Sequence, residues 1–416
     1  MTFTPLHQAL GARPGPLTSE LLDEAIEIKL EESDQIDWKR AAPPEGSLKD
    51  SDLVKDIAAF ANSGGGMVVF GVAEEEGRAT GRVDVGEVTE TYERTLRRVA
   101  ISGIQPPVFG LDVVRLGEDG ARALAVVVPA SLDAPHLIYR KEVFGAPRRN
   151  HADTEWMKER ELEALYRSRF QNRQNSDQIL DALYEEQAAH QGLDPRAWIY
   201  LVAQPRIPVP TRLERDEVQA LVRAAERRAL TWAPQGGWIH PLESVDRLNP
   251  RRGLRRWTLT NEATGARSWR EAWAAVHDSG AVSMRHALGG QRIGGAEPGS
   301  MGPTEVRSHN IEACVADFMA LLRSTATALE VRTEYDVVLG IEWNNRGADQ
   351  LVIETTDSYG YRHRDSSIPL PRYSRVEATV RLDVDDVVFR DQAATFAQDA
   401  INQGGIQNLQ VLQDPS

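Results

Sequence analysis

The stretch ESDQIDWK (residues 32–39) decides how the chain is read. Ile36 and Trp38 alternate with Asp37 and Lys39. In an extended strand the apolar pair shares one face and the charged pair the other. Upstream, eight carboxylates lie between Glu20 and Asp37; a run of this kind is otherwise a solvated helix face. Leu17, Leu21, Leu22, Ala25, Ile26, Ile28 and Leu30 recur near helical spacing, which predicts a helix over 17–30. Residues 1–16, with three prolines and two glycines, read as a loose arm.

Downstream, AAPPEGS (41–47) is a loop. Ser47 followed by Asp50 resembles a capping box with Asp in place of Glu. A helix should follow, burying Leu53, Ile57, Phe60 and Ala61. Asn62-Ser63-Gly64-Gly65-Gly66 ends it, and Met67–Val72 reads as a buried strand. Glu74-Glu75-Glu76-Gly77 is a turn, and 86–100 a helix with Arg94, Arg97 and Arg98 on one face. Strands are expected at 108–115, 122–128 and 136–140, then the loop GAPRRNHADT (145–154) and a helix over 154–172. This order gives an α+β domain over 17–173.

A second α+β domain of unrecognised type, with a sensing, recruiting or oligomerising role, fills 175–416. It comprises helices over 175–190, 212–230, 305–328 and 387–402. Its strands are expected at 197–203, 334–343 and 376–384, with a hairpin of 272–276 and 281–284 around His277-Asp278-Ser279-Gly280. Residues 289–305 read as a flexible loop. Trp232, Trp238, Trp257, Trp269 and Trp273 crowd one segment, for core packing or as a stacking platform.

Composition narrows the function. Among 416 residues, 41% are apolar and 26% charged, as in ordinary globular chains, which argues against wholesale disorder. A net charge of −14 excludes a polybasic nucleic-acid binder but not a local basic groove. The single Cys314 excludes a disulfide framework and a cysteine-based zinc site. No apolar run is long enough to span a membrane, and residues 1–20 lack the basic and apolar regions of a secretory signal. A cytoplasmic protein is expected.

Three elements together resemble the Schlafen-type AlbA-like domain, often labelled DNA- or ATP-binding in bacteria. They are Glu32-Ser33…Asp37-Trp38-Lys39, the run Ala59-Phe60-Ala61-Asn62 through Gly65-Gly66 to Gly71-Val72, and Arg148-Arg149-Asn150 before Ala152-Asp153-Thr154. Asp37 stands where the family pattern has Glu. The resemblance covers roughly 20–172. It implies an active site of Glu32, Asp37 and, by position after Val72, Glu74. Two carboxylates beside Lys39 are also what phosphodiester cleavage needs: oxygen ligands hold Mg²⁺ or Mn²⁺, and the lysine supports the phosphate. Arg148, Arg149 and Asn150, with Arg140 and Lys141 nearby, are candidates for the nucleic-acid backbone. Solvent exposure explains the same residues equally well.

The Asn62–Gly66 turn could form an anion nest, but it lacks the P-loop pattern and closes the negative end of a helix. ATP binding is therefore not expected from it. His151, His277 and His286 show no metal-ligand spacing. The expected function is a metal-dependent nuclease acting on structured RNA such as tRNA, in stress or phage defence. The alternative is a non-catalytic nucleic-acid- or nucleotide-binding regulator; an interaction protein with an acidic surface is a third reading. Partners would be RNA or DNA, and a homodimer could supply the second module that Schlafen cores pair across a groove.

Overall fold

The structure, a computed structural model, describes residues 3–140, 143–207, 209, 212–261, 271–291, 301–331, 334–344, 349–357, 362–364 and 367–413. It is α+β throughout and divides into two units, Met1–Gln174 and Asn175–Ser416.

In the first unit, α1 (Pro5–Leu10) and α2 (Ser19–Glu27) precede β1 (Ile36–Lys39). The expected loose arm is thus partly helical. Thr4 caps α1 reciprocally with His7, Pro5 takes the first turn where its missing N–H costs nothing, and Leu6 is fully buried. The helix expected after Ser47 starts later. Ser47 Oγ donates to Pro44 O inside a 3-10 turn (Glu45–Asp50), and α3 (Asp52–Asn62) begins behind it.

Then come β2 (Gly66–Phe70), β3 (Val72–Glu75), β4 (Arg78–Arg82) and α4 (Glu90–Ser102). β5 (Ile104–Gln105), β6 (Asp112–Leu116), β7 (Ala123–Val128), β8 (Leu137–Arg140) and β9 (Val143–Gly145) follow. β10 (Pro147–Asn150) and β11 (Asp153–Trp156) form a hairpin in place of the expected basic loop. Glu74 and Glu75 lie on β3, so the turn is confined to Glu76 and Gly77, both at positive φ.

The central sheet runs β1-β2-β7-β6, with β1 parallel to β2 and the other pairs antiparallel. Its two faces carry separate cores. Ile36, Trp38, Met67 and Val69 pack under α1 and α2 with Leu6, Leu22 and Ala25. Val68, Phe70, Leu124 and Val126 pack under α3 and α4 with Leu53, Ile57, Phe60 and Leu96. Burying each large side chain contributes roughly 2 kcal/mol. β2 is covered on both faces and so reads as an unbroken apolar run. Pairing of Asp37 with Val68 and Lys39 with Phe70 sets the charged pair on the α3 face.

α5 (Glu159–Ala188) is one 30-residue helix where two were expected. Its first two-thirds bury nothing; Leu180, Leu183, Tyr184 and Gln187 are its buried residues.

In the second unit, β12 (Trp198–Pro205), α6 (Arg215–Trp232), α7 (Pro241–Ser244), β13 (Arg251–Gly253) and β14 (Arg256–Thr260) are followed by β15 (Ala272–His277) and β16 (Val282–Ala287). β17 (Glu305–Arg307), α8 (Ser308–Ala328), β18 (Tyr335–Glu342), β19 (Val352–Thr356), β20 (Arg362–His363), β21 (Val376–Val380) and α9 (Asp386–Asn402) complete it. An antiparallel sheet runs β13-β14-β15-β16-β12-β18-β21. One face packs on α6, α8 and α9; the other carries Leu180, Leu183 and Tyr184 of α5. The expected hairpin forms, pairing Val276 with Val282. Trp232 lies in the core, and Trp238 and Trp257 pack against it. Trp269, and residues 292–300 of the expected flexible loop, lie outside the described residues.

Candidate functional site

Asp37 is the centre of the site. Its residue is 2% exposed, because β2 flanks it and Arg149 of β10 closes over it. Lys39 Nζ lies 2.8 Å from Asp37 Oδ2, and Arg149 Nη1 lies 3.3 Å from Oδ1. Arg149 is itself buried. Its guanidinium stands 4.9 Å from the centroid of the Phe60 ring, with Thr154 Oγ1 at 3.3 Å and Ser33 O at 3.5 Å.

Three sequence-distant elements therefore meet here. Arg149 N–H donates to Ser63 Oγ at 2.8 Å, tying β10 to the end of α3. His151 N–H donates to Asp34 Oδ1, tying the hairpin tip to the strand entrance. Asn62 is the strongest clamp. Its Nδ2 donates to His136 O at 2.9 Å and Pro147 O at 2.8 Å, while Oδ1 accepts His136 N–H at 2.6 Å. Asn62→Ala removes all three bonds and leaves two carbonyls and an amide unpaired. A loss of about 2 kcal/mol is expected in urea unfolding, given about 1 kcal/mol or more per orphaned group and partial exposure.

The glycines behind Asn62 serve packing. Gly65 has φ +93, and a Cβ there would lie 2.8 Å from Ala130 N; a Cβ on Gly66 would overlap the Phe60 ring. The N–H groups of Ser63 and Gly65 both donate to Phe60 O. The turn is thus a helix stop rather than an anion nest.

Glu32 is half-buried. Its Oε1 accepts Trp38 N–H at 2.9 Å, and its own N–H donates to Gly77 O at 2.7 Å. Burial raises its carboxyl above the ordinary range, the charges of Asp37 and Glu74 add to this, and the Trp38 N–H opposes it. Glu74 is exposed, and its Oε2 accepts Gly77 N–H at 2.9 Å. Desolvation works against the Lys39 charge, but the hydrogen bond and charge of Asp37 outweigh it and hold the ammonium above its ordinary range.

The expected metal ligands are each engaged by the protein. Asp37 is neutralised by an ammonium and a guanidinium, Glu32 holds a strand amide and Glu74 a turn amide. Among the described residues no group of three His, Cys, Asp or Glu side chains is arranged to hold a metal ion. A cation held by Glu32, Asp37 and Glu74 would have to displace Lys39 from Asp37.

The expected backbone-binding loop also needs correcting. Arg149 is unavailable to a phosphate, because its side chain is 2% exposed and spent on Asp37. Arg148 is 39% exposed and pairs with Glu155 and Glu161; Asn150 Nδ2 donates to Glu155 Oε1 at 2.9 Å. Lys39 keeps 41% of its side chain exposed, and Arg40 beyond it is exposed. Lys141 and the Arg140 side chain lie outside the described residues. In the 94–98 set, Arg94 pairs with Glu90 and Arg97 donates to Leu111 O.

Asp56 was not anticipated. It is 5% exposed on α3, three residues after Leu53 and four before Phe60. A carboxylate at that spacing on an apolar stripe was the signal in the sequence. Burial, then the charge of Asp37, raises its pKa to about 6, with Lys39, Lys55 and Arg149 opposing.

The family model described as Schlafen, AlbA_2 matches residues 32–158. No curated protein matches the chain. Among solved structures, the DIP2311 protein from Corynebacterium diphtheriae is 17% identical, with 51% of this chain and 33% of that one covered and a TM-score of 0.24. This chain therefore spans about a third of that protein's length. The N-terminal domain of a protein from Nitrosomonas europaea, described as related to the ATP-dependent DNA helicase RecG, is 20% identical; 35% of this chain and 94% of that one are covered, with a TM-score of 0.25. The matched span holds Glu32, Asp37, Asn62 and Arg149, the residues that knit the site together, and the N-terminal unit is a Schlafen-type AlbA-like domain.

Proposed function

We propose that the N-terminal unit binds the phosphate backbone of nucleic acid as a non-catalytic module, and that the chain is a two-unit regulator. The Schlafen, AlbA_2 match supports a nucleic-acid-related function. The observation that carries the reading is the charge state of the site. Asp37 is held by Lys39 and Arg149, and Lys39, with 41% of its side chain exposed, and the exposed Arg40 present cationic groups to solvent. Arg148 adds a third, paired only through partly exposed carboxylates, and surface pairs of this kind are worth under about 1 kcal/mol. A phosphate could take their place.

Three phosphate contacts on a single strand give a log–log salt slope of about −2. In a fluorescence titration of a single-stranded oligonucleotide, Lys39→Ala, Arg40→Ala and Arg148→Ala should each weaken binding and flatten the slope by about 0.7. Binding that is absent, or indifferent to salt, sinks the proposal.

One observation favours a second reading. Glu32, Asp37 and Glu74 lie near enough for the charges of the latter two to raise the Glu32 carboxyl. A metal-dependent nuclease acting on structured RNA would use that proximity, at the cost of displacing Lys39 from Asp37.

A further inference from the structure

The sheet face of the second unit that carries the end of α5 holds a polar cluster unrelated to the site above. Tyr200 on β12 stands directly opposite Arg285 on β16, so their side chains share that face. Tyr184 of α5 meets Tyr200 with ring centroids 6.0 Å apart, and its hydroxyl donates to Glu342 Oε1 at 3.0 Å. One turn further along α5, Gln187 accepts from Arg285 Nη1 at 3.5 Å through its backbone carbonyl.

The polar groups of this cluster are incompletely used. Gln187 and Tyr200 are fully buried. Among the described residues neither amide atom of the Gln187 side chain has a hydrogen-bond partner, and neither does the Tyr200 hydroxyl. Buried polar groups are paired in the great majority of cases. Arg285 makes no ion pair among the described residues; the Trp273 ring lies 4.9 Å from its guanidinium. Burial lowers its pKa from the ordinary value. Nearby carboxylates are already committed: Glu186 to Arg256, Asp194 to Arg196 and Trp198, Glu342 to Tyr184. A partly buried cation therefore lies beside an unpartnered phenol and an unpartnered carboxamide, with no ion-pair partner among the described residues to complete the set.

We propose that the second unit holds a small-molecule oxyanion, a carboxylate or phosphate group, between α5 and the β12–β16 pair. Arg285 supplies the charge, and the Tyr200 hydroxyl and Gln187 amide supply the hydrogen bonds. The regulator would thereby carry a small-ligand input on the unit that bears no recognised domain.

The test is thermal unfolding of the full chain in sodium chloride, sodium acetate and sodium phosphate at equal ionic strength. At saturation, one oxyanion should raise the melting temperature of the second unit by on the order of 5 °C over chloride. A rise in acetate identifies a carboxylate ligand, and a rise in phosphate a phosphorylated one. Tyr200→Phe and Gln187→Met preserve shape and packing and should each reduce the rise several-fold; Arg285→Gln should abolish it. Phosphate also stabilises proteins without binding, so a rise that persists in all three variants overturns the proposal. Equal melting in the three salts overturns it as well.

Discussion

Asp37→Ala is expected to destabilise the N-terminal unit by about 3–5 kcal/mol, the usual cost of breaking a buried ion pair from one side. Lys39 can turn to water, since 41% of its side chain is already exposed. Arg149 cannot. Its side chain is 2% exposed, its backbone N–H is held by Ser63, and Phe60 lies beneath it. The guanidinium would remain charged and lose its nearest carboxylate. Urea denaturation of the full chain, followed by hydrogen exchange of the β1 and β2 amides, measures the effect. The companion experiment removes both charges: Asp37→Leu with Arg149→Met should be far milder than either alone, because no buried charge is left unmatched. A loss below about 1 kcal/mol for Asp37→Ala would show that the pair does not hold the site together.

Asp56→Asn should act in the opposite direction, and only above acid pH. The Asp56 carboxyl titrates near 3.8 in the unfolded chain and at about 6 in the folded one. The folded state therefore binds this proton more tightly. Below about pH 4 both states are protonated and Asp56 contributes no pH dependence. As pH rises from about 4 to about 6 the unfolded state releases its proton first, and stability falls. Above 6 the full cost is present, up to about 3 kcal/mol for a shift of this size. Asp56→Asn removes that titration. The variant should be more stable than the parent at pH 7.5, with the difference fading toward pH 4. Equal pH dependence of the two proteins would contradict the assignment. Since Asp37 is the second cause of the shift, Asp37→Ala should also shrink the Asp56 effect.

These two carboxylates show what could be read from the sequence. Alternation at 36–39 set Asp37 and Lys39 on one strand face, and the strand forms in that sense. The helix before Asn62 and the apolar strand after the glycines follow from periodicity and glycine chemistry alone. The family resemblance marked Arg148, Arg149 and Asn150, but it did not reveal which of them turns inward. That depends on β10 pairing with β11, with Arg149 opposite Thr154, a long-range register that no local pattern encodes. Asn62 was legible as a helix end, yet its role as a clamp on residues 136 and 147 is tertiary. α5 reads as two helices because no buried residue precedes Leu180, so no apolar stripe carries the pattern across residues 173–174. α1 hid behind its prolines, although Pro5 next to Thr4 is a helix-start signal.

The most direct test of the account is a panel of tRNA and single-stranded DNA incubated with the full chain in Mn²⁺ and in EDTA, scored for both binding and cleavage. The charge-compensated site predicts salt-sensitive binding in both conditions, with every strand left intact. Strand cleavage that needs Mn²⁺ and disappears in Glu32→Gln would contradict it and establish the three carboxylates as a metal site.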